Sequence, residues 1–437
     1  MYRRLKSPLI VQIELTEACI NKCQHCYNPR RLEGNHRQSF PEDRAKLAVD
    51  ILAKEEVFHV VLTGGEPLLN RGCLFRLAKE ISAAGMTFGL NSTLFGFSQK
   101  DAISLKKLGI LNILATLLGS TKEKHDALTM NSESFTKTIE GLGIALEAGI
   151  LVGVNMVVTN YNIADIRDTA KLVKTLGIRS FYATKAACPS DQREFKDAIL
   201  GKDHFRNYLE ELDLIGREEG LKCGFLEAYP LCGMKNLGKY AYFLGRRCLA
   251  GITSMTIAAD GNIRPCSHSD ITYGNIFVDG GIGKAWSKMS EWPDGQLLPA
   301  DCKKCPLLNR CGGGCRMDAK IAGGSIDAMD PFTSLPDVDY VFEQLKSAIK
   351  DGERPPLNLP DKIKLCRNAR IRSEPFSGAV FPRGKLGTLL NSEGMRVFMQ
   401  LGREVRVTKE LVQNADSKEK TEEFLKKLLS KSIIEPA

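Results

Sequence analysis

Between residues 9 and about 215, short apolar runs alternate with stretches whose apolar residues recur at helical spacing. The runs predict strands at 9–15, 58–63, 86–91, 111–117, 151–158 and 179–184. The amphipathic stretches predict helices at 41–55, 72–84, 99–108, 134–149, 163–176 and 202–219. Regular strand–helix alternation implies a parallel sheet with helices on its outer face. Six such units are too few for an eight-stranded barrel, so the expected α/β fold is a partial (β/α)6 barrel. Beyond residue 220 the pattern breaks. Residues 220–335 carry few helical patterns and many Cys and Gly. Residues 336–365 read as a connector, with a helical stretch at about 337–350 and then the proline-rich ERPPLNLP. Residues 366–437 regain a pattern of their own. RNARIRSE and SGAVFPRGKLGTLLN alternate as strands. Asn391, Ser392 or Glu393 opens a helix, Thr408 caps KELVQ, and Lys418–Ser430 is a last amphipathic helix. Three strands and three helices make a winged-helix-like α+β layout. The expected domains are therefore 1–219, 220–335, a 336–365 connector and 366–437.

The chemistry sits just beyond two of the strands. After the run LIVQIEL comes CINKCQHCYN, with Cys19, Cys23 and Cys26 spaced C-x3-C-x2-C. A structural zinc site closes with four protein ligands. Three thiolates alone suit a [4Fe–4S] cluster with one iron left open for another ligand. After FHVVLT comes Gly64-Gly65-Glu66-Pro67. Two glycines let the backbone come close to a ligand, and Glu66 can hold an ammonium group. Both motifs fall at C-terminal strand ends, where such sheets bind ligands.

These residues resemble the radical S-adenosylmethionine (SAM) enzymes. The resemblance implies a TIM-like partial barrel. Cys19, Cys23 and Cys26 would hold the cluster, and Gly64, Gly65, Glu66 and Pro67 would line the SAM site. It further implies SAM contacts near Asn91 and Ser120, although turn formation explains Gly119 and Ser120 equally well. The implied reaction cleaves SAM to a 5′-deoxyadenosyl radical that takes a hydrogen from substrate, with flavodoxin or ferredoxin as a type of electron donor.

The later cysteines add a second pattern. Cys248-x12-Gly261-x4-Cys266 is followed by Cys302-x2-Cys305-x5-Cys311-x3-Cys315. A zinc ribbon accounts for 302–315 alone but not for the earlier pair. The whole resembles the SPASM extension of radical SAM enzymes, which holds two auxiliary clusters. The resemblance assigns Cys248, Cys266 and Cys315 to the first, with Cys232 as fourth ligand and Cys223 in reserve. It assigns Cys302, Cys305 and Cys311 to the second. Its seventh cysteine is absent here, since DPFTSLP carries Thr333 at that place. Cys366, an oxygen from Asp327 or Asp330, or an open iron would have to stand in. Three [4Fe–4S] clusters and SAM are thus the expected cofactors.

Residues 366–437 resemble the peptide-recognition element of ribosomal-peptide maturation, in which a leader peptide adds as a strand to a sheet edge. Their 14 Lys and Arg against 9 Asp and Glu suit an acidic peptide or DNA equally. A DNA-binding winged helix and a dimerisation lobe are the other readings of this segment. Cys188, in KAACPSD, is either a thiol hydrogen donor at the barrel mouth or an ordinary loop cysteine. The segment GNIFVDGGIGKAW lacks the serine or threonine of a phosphate loop and reads as a turn.

Composition narrows the rest. The chain has 437 residues, 14 cysteines and a net charge of +9. No apolar stretch reaches membrane-spanning length, and the N-terminus lacks a signal-peptide cleavage site. A cytoplasmic enzyme with reduced, metal-binding cysteines is expected, with no membrane partner and no nucleic acid. The expected activity is modification of a precursor peptide docked through 366–437, by a thioether or C–C cross-link. The alternatives are oxidation of a folded protein, as in anaerobic sulfatase maturation, and a DNA-binding iron–sulfur redox regulator without enzymatic activity.

Overall fold

A computed structural model describes residues 3–23, 25–28, 38–187, 198–234, 246–278, 281–334, 358–366, 369–382, 387–401, 405–413 and 417–437. Cys188 and the expected 337–350 helix lie outside these residues. The chain divides into two compact units. The first is built from Ser7–Asp351. The second is built from Gly352–Ala437 together with Arg3–Lys6. No boundary between units falls at 219: the strand–helix part and the cysteine-rich part pack as one body.

The first unit is an α/β fold on a ten-stranded sheet. Strands β1 (Ile10–Glu14), β2 (His59–Thr63), β3 (Thr87–Ser92), β4 (Ile113–Thr116), β5 (Val152–Val158) and β6 (Ser180–Lys185) lie side by side in sequence order, all parallel. Each falls within two residues of its sequence expectation at either end. Helices α1 (Ala45–Lys54), α2 (Arg71–Ala83), α3 (Gln99–Lys107), α4 (Lys122–Thr129), α5 (Ser134–Glu147), α6 (Ile166–Thr175) and α7 (Lys202–Glu219) intervene. Helix α3 starts where Ser98 and Asp101 cap each other's backbone N–H groups, a capping box. Thr121 accepts from the N–H of Lys124 to start α4, which carries His125 and Asp126.

The sheet extends past the expected six strands at both ends. Strand β7 (Lys222–Gly224) adds parallel to β6. At the other end, β8 (Ser254–Ile257) pairs parallel to β1, from Ile10↔Ser254 to Ile13↔Ile257. Strands β9 (Asn262–Arg264) and β10 (Gly274–Asn275) follow it antiparallel. The cysteine-rich segment is therefore stitched into the barrel sheet. Helices also run through it, at Ile282–Lys288 and Arg316–Gly323, where few were expected.

The two faces of the sheet differ. Val11, Ile13, Val60, Leu62, Phe88, Leu90, Ile113, Ala115, Val154, Met156, Phe181 and Ala183 form a fully buried apolar row. In the alternate positions, Gln12, Asn91, Thr116, Asn155 and Tyr182 are only half-buried. In a closed barrel this inner row packs solid. Here Gln12, Asn91, Thr116, Asn155 and Tyr182 share those half-buried positions with Val61 and Leu114.

The second unit holds two three-stranded sheets. Strands β12 (Arg370–Glu374), β13 (Ser377–Phe381) and β14 (Thr388–Leu390) form the expected antiparallel set. The other sheet joins β11 (Lys362–Leu365), β15 (Arg406–Val407) and β16 (Ile434–Pro436). Residues 362–365, expected in the connector, are thus a strand. Helices Ser392–Leu401, Thr408–Gln413 and Lys418–Ser430 close a core of Ile363, Val380, Phe398, Leu401, Leu425 and Leu428. Asn391 accepts from the N–H of Gly394 and settles which residue opens the first of these helices. Thr408 is the first helical residue rather than a cap, and its hydroxyl donates to the Pro360 carbonyl. The buried carboxylate of Glu374 accepts from Arg372 (2.6 Å) and from the backbone N–H of Lys6 (2.9 Å). Arg3 stacks over Phe376 with its guanidinium carbon 5.1 Å from the ring centre. These contacts draw the chain's first residues into the second unit.

Candidate active site and cysteine sets

The two leading motifs are built as one object. The loop leaving β1 lies against the loop leaving β2. Gly65 donates its N–H to the Thr16 carbonyl (2.6 Å), and Glu66 donates to that of Ala18 (2.8 Å). Gly64 has φ +141°, and a Cβ there would sit 2.6 Å from the Thr16 oxygen. A Cβ on Gly65 would overlap the Ala18 carbonyl outright. The glycines therefore let the cysteine loop approach GGEP, backbone against backbone. Glu66 is almost fully buried. Its carboxylate accepts from Ser92 Oγ (2.7 Å), Thr93 N (2.8 Å), Thr93 Oγ1 (2.6 Å) and Leu68 N (3.1 Å). Those bonds fix the loop to the end of β3.

Cys19, Cys23 and Cys26 are half-buried on this loop. Its middle is pinned from below. Lys22 donates its N–H to Thr129 O (2.8 Å), and Asn21 hydrogen-bonds Ser134 (3.1 Å) and Asn131 (2.8 Å). The Tyr27 ring packs on His268 with centroids 4.4 Å apart. Burial, then the nearby Glu14 carboxylate, pushes the Tyr27 hydroxyl well above its ordinary range. His268 follows Cys266, so the triplet loop and the cysteine-rich segment meet here. Three thiols on one pinned loop, with the GGEP backbone beside them, fit a cluster held by three cysteines.

Of the two further expected SAM contacts, Asn91 lies on the half-buried inner row of β3. Ser120 is engaged otherwise. Its N–H and hydroxyl both donate to Asp165, at 2.6 and 2.8 Å.

The cysteine-rich segment sorts its sulfurs into two sets. Cys248, Cys266 and Cys315 form one. Burial, then the charge of Cys248, pushes the Cys266 thiol up to about 12. Burial and the acidic neighbours Asp318 and Glu227 hold Cys315 well above the usual thiol range, and Cys248 also acts on it. Cys302, Cys305 and Cys311 form the other, and burial followed by Cys311 pushes Cys302 up to about 11. Gly312, Gly313 and Gly314 separate Cys311 from Cys315, with φ of +71°, +76° and +79°. Three left-handed residues in a row require glycine. They turn the chain so that two cysteines four apart face different sets. Among the described residues, no three His, Cys, Asp or Glu side chains converge on a single metal ion.

The residues expected as fourth ligands have these neighbours in the structure. Cys232 was expected with Cys248, Cys266 and Cys315. It lies instead beside Cys311, Cys302 and Cys305, and burial followed by these neighbours pushes its thiol up to about 12. The reserve ligand Cys223 is a core residue of β7 packed by Gly216 of α7. Asp330 is spent on the backbone: its carboxylate accepts from Cys315 N (2.7 Å) and Phe332 N (2.8 Å). Asp327, the other proposed oxygen ligand, is bonded by Ser325. Cys366 belongs to the second unit, where its N–H donates to Ile433 O (3.0 Å).

One feature of the site was missed from sequence. Lys185 ends β6, fully buried. It pairs with Asp318 and lies 3.1 Å from Glu227. Burial opposes its charge, but the two carboxylates outweigh that and hold the ammonium well above the ordinary lysine range. Phe332 and Tyr229 flank it, their ring centres 5.1 and 5.7 Å away. The signal was present: a lysine closing the mostly buried FYATK run. Arg316, also buried, donates to the carbonyls of Gly313 and Ala328. Arg264, from β9, pairs with Glu14 at the end of β1.

Comparison with known proteins agrees with this geometry. Residues 13–173 match the Radical SAM superfamily. The chain is 26% identical over 357 residues to the PqqA peptide cyclase of Ruegeria pomeroyi, covering 79% of this chain and 93% of that one. It is 23% identical to the AdoMet-dependent heme synthase of Oleidesulfovibrio alaskensis, covering 74% and 86%. The crystal structure of Streptococcus suis SuiB bound to precursor peptide SuiA shares the fold, with TM-score 0.60, 18% identity, and 75% and 76% of the two chains covered. A radical SAM domain implies a [4Fe–4S] cluster and SAM, and Cys19, Cys23 and Cys26 are the donors this chain offers for them. Residues 13–173 thus match the Radical SAM superfamily, and the chain is an enzyme.

Proposed function

We propose that this enzyme matures a ribosomally made precursor peptide by net two-electron oxidation, forming a thioether or C–C cross-link. The observation that carries the reading is the cysteine triplet loop held backbone against backbone to GGEP, on a sheet that also presents the half-buried Gln12, Asn91, Thr116, Asn155 and Tyr182. A separate small unit carries exposed strand edges. Similarity to a peptide cyclase and to a maturase crystallised with its precursor supports it.

In this reading Cys19, Cys23 and Cys26 hold the cluster, and the GGEP backbone, fixed through Glu66 to Ser92 and Thr93, shapes the SAM pocket. Bound SAM and the reduced cluster supply the radical that removes a substrate hydrogen. The half-buried polar residues of the sheet orient the peptide segment, and strand edges of residues 366–437 dock its leader. Cys248, Cys266 and Cys315, and separately Cys302, Cys305 and Cys311, hold auxiliary clusters that take the second electron. A flavodoxin or ferredoxin returns the enzyme to its reduced state.

The similarity to heme synthases favours one other substrate, a porphyrin. The deciding experiment is anaerobic SAM cleavage by the reconstituted enzyme, with a pool of precursor peptides in one arm and a porphyrin in the other. Peptide-dependent 5′-deoxyadenosine, with a peptide lighter by two hydrogens, is expected. Turnover with porphyrin alone overturns the proposal.

A further inference from the structure

The auxiliary sets can be taken further, resting on the reading of residues 220–335 as a two-cluster segment. Spacing left the second set one cysteine short, because Thr333 stands where a seventh was expected. The fold supplies a sulfur at that very place. A short turn, Leu231–Gly233, lies against the segment 332–334. A Cβ on Gly233 would overlap the Phe332 carbonyl, so only glycine permits the approach. Arg206 clamps the two stretches together, donating to Gly233 O (3.3 Å) and to Ser334 Oγ (3.0 Å). Leu231 donates its N–H to the Cys311 sulfur (3.3 Å). Between these anchors, Cys232 hydrogen-bonds to the backbone of Ser334 and faces Cys311, Cys302 and Cys305.

Moving Cys232 leaves Cys248, Cys266 and Cys315 with three sulfurs. A buried carboxylate, Glu227, lies near the Cys266 end of this set. Glu227 acts on both Cys248 and Cys315. It lies 3.5 Å from His268, two residues past Cys266. Its Oε2 is buried with no hydrogen bond, and it faces the Lys185 ammonium at 3.1 Å. A carboxylate is a competent iron ligand, and a buried cation beside it offsets the charge of an anionic cluster.

We propose that Cys232 completes the Cys302–Cys305–Cys311 set in place of the missing seventh cysteine, and that Glu227 is the fourth ligand of the Cys248–Cys266–Cys315 set. The two auxiliary clusters thus differ in ligation, one all-thiolate and one with an oxygen ligand. An oxygen ligand makes one iron exchangeable, so the Glu227 site is the one at which a substrate carboxylate or thiolate would bind.

The test uses full-length protein reconstituted anaerobically, read by iron content, Mössbauer and electron paramagnetic resonance spectra. The variants are Cys232→Ala, Cys248→Ala, Cys302→Ala, the doubles of Cys232→Ala with each of the other two, and Glu227→Gln. Spectra of the triplet cluster serve as the folding control. Wild type is expected to hold about twelve irons. Cys232→Ala should remove no further signal from Cys302→Ala protein, yet should strip the remaining auxiliary signal from Cys248→Ala protein. Glu227→Gln should change the auxiliary spectrum in the Cys302→Ala background and leave it unchanged in the Cys248→Ala background. The reverse epistasis for Cys232 overturns the regrouping while leaving the two-cluster reading intact. An unchanged spectrum for Glu227→Gln in both backgrounds overturns the carboxylate ligand. A wild type with only about four irons overturns the two-cluster reading itself, and the regrouping with it.

Discussion

The triplet site and the cysteine-rich segment solve the same problem with opposite economies. The first takes its three thiols from eight consecutive residues on one loop. The second gathers seven thiols from four stretches spread over more than eighty residues. A contiguous site is assembled by local backbone geometry and survives as long as its loop does. A dispersed site exists only because other contacts bring its stretches together: the β1–β8 pairing, the Arg206 clamp, the buried ions around Lys185 and Arg316. Damage outside the ligands should therefore matter far more to the second site than to the first.

The most severe test falls on the ligands themselves. Replacing Cys19, Cys23 and Cys26 by Ala should reduce SAM cleavage to background and remove about four irons, while leaving the auxiliary spectra in place. Next comes Lys185→Met, which strands Asp318 as an unpaired buried charge. A loss of about 3–5 kcal/mol is expected, visible as a large drop in denaturant midpoint. The auxiliary spectra should be disturbed and the triplet spectrum kept. Should the triplet signal fall first, the contrast between the two sites is wrong. Gly65→Ala reverses the pattern. Its Cβ meets the Ala18 carbonyl, so about 1–3 kcal/mol of overpacking is expected, with at least tenfold weaker SAM binding by calorimetry and intact auxiliary clusters.

The smallest effect concerns acid. Burial lowers His59 and His125 to about 4, so the folded protein holds both neutral while the unfolded chain protonates them near 6.5. Their contribution to stability is complete above pH 6.5 and is lost as pH falls toward 4. Melting temperature should decline over that window, and His59→Gln should flatten part of the slope. His125, bonded by Leu118 N–H and Ser134, belongs to the support of the triplet loop through Asn21. His125→Gln should thus flatten the slope and also loosen that loop.

What could be read in advance follows the same division. Strands β1 to β6 and most of the helices between them were legible because each is a local period of apolar residues. The triplet and GGEP were legible because their chemistry is contiguous. Strand β8 was not, since SMTI is four residues long and its partner lies some 240 residues away in sequence. The neighbours of Cys232 were hidden for the same reason. Spacing counts residues along the chain, whereas the Gly233–Phe332 approach and the turn through Gly312–Gly314 decide which sulfurs meet. Lys185 could have been singled out as a lone charge at the end of a buried strand. The polar members of the inner row were also visible, in the alternation of Gln12 and Glu14 or of Asn155 within VGVNMVV, had the two faces of each strand been read separately.

The opening residues carry a practical consequence. Because Arg3–Lys6 are counted with the second unit through Glu374 and Phe376, the chain enters that unit before it builds the barrel and returns to it at the end. Removing residues 3–6 would leave the buried Glu374 carboxylate without its Lys6 N–H donor and so unsettle the small unit from a stretch far from it in sequence.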